Sequence, residues 1–84
     1  MDHRVVFAPE ARDDLIRIAA RSPLRELVRI ETWCADLADE PERGLRRDDL
    51  FPGLRILGLE GRAAIAFHIG LDTVTIDRIV LAAR

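Results

Sequence analysis

Two hydrophobic periods divide this chain, and their order limits what it can fold into. Between Pro9 and Asp39, apolar residues recur at helical spacing. From Leu54 to Leu81 they fall in short β-rich runs broken by glycine turns. Helices first and strands afterwards give an α+β domain, not an alternating parallel sheet. The 84 residues suffice for one domain, 1–84, with a modest core.

Arg4 to Ala8 reads as a short opening strand. Pro9 suits the first helical turn, with Glu10, Asp13 and Asp14 near the positive end of the dipole. Ala11, Leu15, Ile18 and Ala19 then define an amphipathic helix over 9–20. Ser22 is a good N-cap and Pro23 a good first residue for a second helix over 23–39. Residues 40–53 form a charged loop ending in Phe51-Pro52-Gly53. Strands follow at 54–57, 62–69 and 73–81, joined by turns at 58–61 and 70–72. The expected order is β-α-α-β-β-β. A helical hairpin covers one face of a small, mainly antiparallel sheet, and the first strand adds to an edge.

The second helix carries a wide apolar stripe: Leu24, Leu27, Val28, Ile30, Trp33, Cys34, Ala35, Leu37 and Ala38. So broad a stripe can touch two surfaces. One reading packs it on both the sheet and the first helix. The other leaves Ile30, Trp33 and Leu37 for a partner. Cys34 lies within the stripe and reads as a small buried hydrophobe.

Composition excludes several classes. Hydrophobic residues at 49% and charged residues at 33% describe a folded domain, not a disordered one. All thirteen basic residues are Arg, and Tyr is absent, so no amine of tunable pKa is available. The net charge of −2 excludes a general nucleic-acid binder. Residues 55–84 still carry four Arg against three acids. The N-terminus lacks a signal-peptide core and no apolar run is long enough to span a membrane, so the cytoplasm is expected. No metal-ligand spacing, phosphate loop or nucleophile elbow is present, and no cofactor is implied. Asp13-Asp14 reads as helix-start charge, not as a catalytic dyad.

The 62–69 strand offers the one candidate site. Ala63, Ile65, Phe67 and Ile69 share one face, and Arg62, Ala64, Ala66 and His68 the other. The bulky row belongs to the core. Arg55 and Arg78 come from neighbouring strands, and parity alone does not assign their faces. Two readings stand. Arg55, Arg62 and Arg78 together could hold phosphates, with His68 as the one group able to move a proton near neutral pH. Alternatively, His68 is solvent-facing and Arg55 and Arg78 pair with Glu60, Asp72 or Asp77.

Four segments carry a resemblance. They are Ala8-Pro9-Glu10-Ala11-Arg12-Asp13-Asp14-Leu15, Leu37-Ala38-Asp39-Glu40-Pro41-Glu42-Arg43-Gly44, Pro52-Gly53-Leu54-Arg55 and Val74-Thr75-Ile76-Asp77-Arg78-Ile79. In order and spacing they resemble the ParE/RelE superfamily of type II toxin–antitoxin toxins, ParE more than RelE. The resemblance implies a small α+β toxin neutralised by a ParD-like or similar antitoxin. A ParE-like member inhibits DNA gyrase by binding and is no enzyme. A RelE-like member is a ribosome-dependent mRNA endoribonuclease, and here only His68 could be its base. A degenerate, inactive binding module is the third reading. The absence of Lys and Tyr departs from the RelE pattern.

Overall fold

The computed structural model describes residues 3–82. β1 (Arg4–Phe7) leads into α1 (Pro9–Arg21) and α2 (Leu24–Asp36). A 3-10 turn, Pro41–Arg43, precedes β2 (Leu45–Arg46), and β3 (Arg55–Leu59), β4 (Ala63–Ile69) and β5 (Thr73–Leu81) complete the chain. The sheet has five strands in the order β1-β5-β4-β3-β2. Only β1–β5 is parallel, so the expected α+β sheet is mainly antiparallel.

The chain departs from the sequence expectations at element ends. Pro23, not Ser22, occupies the N-cap of α2, and Ser22 instead closes α1 by donating its N–H to the Ile18 carbonyl. α2 stops at Asp36 because residues 37–39 tighten into i→i−3 bonds, such as Ala38 N–H to Ala35 O at 3.0 Å. The 40–53 loop contains β2, a two-residue strand too short to show a period. β3 runs through Gly58 to Leu59, so the hairpin turn falls at Glu60–Arg62. Glu60 and Gly61 both adopt the left-handed region there, at φ 55° and 72°.

The core lies between the sheet and the hairpin. Phe67, Ile65, Val74 and Ile76 meet Ile30, Cys34 and Leu37, all fully buried. Burial pushes the Cys34 thiol up to about 12, with Glu31 adding to the shift, so it behaves as an inert apolar group. The 40–44 segment crosses the Phe67 ring so closely that a Cβ on Gly44 would stand 2.8 Å from it. Gly44 has an ordinary φ of −73°, so only space excludes a side chain. Gly44→Ala is therefore expected to cost about 1–3 kcal/mol by overpacking, read as a lowered urea midpoint; an unchanged midpoint would show that the ring yields freely.

Candidate functional site

Antiparallel pairing sorts the strand residues by face. Ile65↔Ile79, Leu57↔Ile65 and Phe67↔Ile76 stack under the helices. Ala64↔Val80, Ala66↔Arg78, Gly58↔Ala64 and Ile56↔Ala66 occupy the opposite, open face. A bulge makes this possible. Between Ile76↔Phe67 and Arg78↔Ala66, β5 carries one extra residue, Asp77. Without it, Ile79 would face solvent and Arg78 the core. The bulge reverses the parity, buries Ile79 and turns Arg78 outward. It also presents Asp77, whose Oδ2 lies 2.8 Å from His68 Nδ1 on the exposed face.

The principal polar cluster sits at the margin of this face. β1 follows β5 only as far as Ile76, whose carbonyl accepts the Ala8 N–H at 2.9 Å. Beyond that point α1 departs, and among the described residues no strand lies beside the β5 edge. Asp14, 3% exposed, fills the first gap: its Oδ2 accepts the Ile79 N–H at 2.8 Å. Arg78 grips the same carboxylate with both arms, Nε to Oδ2 at 2.8 Å and an NH2 group to Oδ1 at 3.1 Å. Arg17 donates to Oδ1 from the next helical turn. Chiefly the Arg78 hydrogen bonds, then the Ile79 N–H, hold the Asp14 carboxyl below the usual carboxylate range, against the opposing effect of its burial.

The sequence-derived candidates do not converge. Arg55 stands opposite Phe67, hence on the helix side of the sheet. Its guanidinium donates to the carbonyls of Glu42 at 3.3 Å and Gly44 at 3.0 Å, which clamps the 40–44 segment. Arg62 lies in the turn outside β4, where strand parity no longer applies, and pairs with Glu26 of α2 at 3.2 Å. Only His68 and Arg78 share the open face. The expected partners Glu60 and Asp72 take neither Arg55 nor Arg78, and Asp77 takes His68 instead. Ile30 of α2 and Leu37 just beyond its end are fully enclosed, so the reading that they face a partner is corrected. The sheet and α1 use the broad stripe first. Trp33 is half-buried beneath Arg29, whose guanidinium lies 6.0 Å from the ring centroid. Ile16, Leu24 and Val28 are the large apolar residues that the hairpin leaves exposed.

Sequence reasoning missed Asp14 as an anchor. A signal was present: Asp14 lies three residues after Ala11 and four before Ile18, on the buried stripe of α1. A carboxylate on such a stripe needs donors from another element.

Chains from three solved assemblies share this architecture. The RelBE2 toxin–antitoxin complex from Mycobacterium tuberculosis matches at TM-score 0.76 and 28% identity, covering 96% of this chain and 99% of that one. This chain has the RelE/ParE toxin fold. The chromosomal ParDE system of P. aeruginosa matches at TM-score 0.76 and 21% identity, with 96% and 97% coverage. The E. coli DinJ-YafQ toxin–antitoxin complex matches at 0.67 and 11%, with 96% and 93% coverage. RelE-type and ParE-type neighbours fit equally well, so overall shape does not separate the two branches. No family model and no curated protein sequence matches the chain. Among the described residues no helix is long and apolar enough to cross a membrane.

The Asp14 cluster has a pH signature. A carboxyl whose folded-state pKa is lowered stabilises the fold above the ordinary aspartate range. That contribution fades as pH falls below about 4 towards the folded-state value. Asp14→Asn is expected to cost about 1.5–3 kcal/mol at pH 7 by weakening charge-assisted bonds around a buried group. The variant should also lose stability less steeply than the parent between about pH 4 and 2. Chemical denaturation at a series of pH values reads both effects.

Proposed function

We propose that this chain is the toxin of a type II toxin–antitoxin pair, and that it acts by binding DNA gyrase, not by cutting RNA. The toxin reading is supported by the shared fold with three toxin–antitoxin assemblies across nearly the whole chain. A cognate antitoxin, ParD-like or similar, is the partner this reading requires, and gyrase as target implies action in the cytoplasm.

The dispersal of the arginines carries the choice against catalysis. A ribonuclease needs a base for the 2′-hydroxyl and fixed cations around the scissile phosphate. Here Arg55 is spent on backbone carbonyls, Arg62 on Glu26 and Arg78 on Asp14. None stands beside His68 as a free donor. What remains is a shallow surface floored by Ala64, Ala66 and Gly58, with exposed Val80 and Leu45, suited to protein contact. Gyrase is preferred among protein targets because the sequence segments resemble ParE more than RelE.

The ribonuclease reading keeps one observation in its favour, the exposed His68–Asp77 pair at 2.8 Å, an arrangement that can orient an imidazole for proton transfer. The two readings diverge experimentally. Purified protein is expected to inhibit supercoiling by gyrase in a dose-dependent way, and His68→Ala is expected to inhibit equally. Unimpeded supercoiling with ribosome-dependent mRNA cleavage, lost in His68→Ala, would reverse the assignment. Expression without a partner should arrest growth and give filamented cells; normal growth would favour an inert module.

A further inference from the structure

The helical hairpin leaves an apolar patch on the side away from the sheet. Ile16 is 67% exposed and Val28 50% exposed. Each stands two residues from a buried isoleucine, Ile18 and Ile30, and so on nearly the opposite side of its helix. A two-residue turn joins α1 to α2, so the helices run antiparallel as neighbours. Counting five residues back from the end of α1 and five on from the start of α2 sets Ile16 level with Arg29, beside Val28. Leu24, one turn before Val28, is 74% exposed and extends the patch along α2.

The exposed charges of α2 follow an order that its own dipole disfavours. Arg25 lies in the first turn and Arg29 in the second. Glu31 and Asp36 occupy the later half, and the last turn holds no basic residue. A helix is stabilised by the reverse order, acids first and bases last. Glu26, the acid of the first turn, is taken up by Arg62. Arg25, Arg29, Glu31 and Asp36 form no ion pair among the described residues.

A basic half followed by an acidic half complements itself in an antiparallel pair. A two-fold axis near the middle of α2 sets the basic half of each copy against the acidic half of the other, and it opposes the two dipoles. A parallel pair would bring like charges together. The face is small. α2 is about 20 Å long, and two such hairpin faces bury on the order of 1,000 Å² in total, the low end for specific association.

We propose that the outer face of the hairpin is an interface between two copies of this chain. The copies pack antiparallel along α2, with Ile16, Leu24 and Val28 at the centre. Arg25 and Arg29 of each copy meet Glu31 and Asp36 of the other. The face lies across the molecule from the open sheet, so self-association and the gyrase assay can fail separately.

Sedimentation velocity on the full chain should show a monomer–dimer equilibrium with Kd of about 1–100 μM, weakening as salt rises because exposed charges supply part of the attraction. Val28→Arg places a cation at the centre and should raise Kd about tenfold or more with melting temperature little changed. Arg25→Glu and Asp36→Arg should each weaken the dimer, and a chain carrying both should regain it, since the exchanged charges again face one another. Both substitutions bring α2 into accord with its dipole, so folding stability holds or rises while the single variants lose the dimer. A merely structural role for these residues would lower stability instead. A chain that stays monomeric up to about 0.5 mM would overturn the proposal and assign the face to a different protein. So would a dimer indifferent to Val28→Arg, or one weakened by the single reversals and not restored by the exchange.

Discussion

The architecture turns on one carboxylate where two strands of unequal length part. β5 runs on after β1 has become α1, and a backbone donor is left at the sheet edge. Asp14 supplies the acceptor from the helix that has just left the sheet. Burying a carboxylate costs several kcal/mol unless donors offset it. Here the donors are the Ile79 N–H and two guanidiniums. The cluster thereby fixes where α1 lies along β5.

That same cluster shapes what the surface can do. The bulge at Asp77 turns Arg78 to the open face, and Asp14 then draws its guanidinium to the sheet margin. Arg55 and Arg62 are held by the 40–44 segment and by α2. Arginines that could have formed a phosphate cradle therefore brace the fold. The open face keeps small and apolar residues, and Arg17, Arg21 and Arg78 gather where α1 meets β5. This distribution is what the proposed function, binding and not cleavage, is argued from.

Much of the fold was legible because strong periods and proline–glycine punctuation carry it. Pro9 opens α1, and the alternation of Ala63, Ile65 and Phe67 gives the buried face of β4. β2 was not legible, since two residues show no period. The face of Arg78 was ambiguous because a bulge breaks parity without changing composition. The roles of Arg55 and Arg62 were left open in the sequence for a related reason. Their partners, two carbonyls in the 40–44 segment and Glu26, belong to elements distant in sequence. Ile30 and Leu37 showed the converse: a broad stripe is consumed by the chain's own core before a partner can use it.

The central claim is that Asp14 and Arg78 act as a single unit joining α1 to β5. A double-mutant cycle in equilibrium denaturation, comparing Asp14→Ala, Arg78→Ala and the pair, tests it most directly. The account predicts a coupling of about 1–3 kcal/mol at pH 7, shrinking as pH falls below about 4. Single effects that add to within about 0.3 kcal/mol would contradict it.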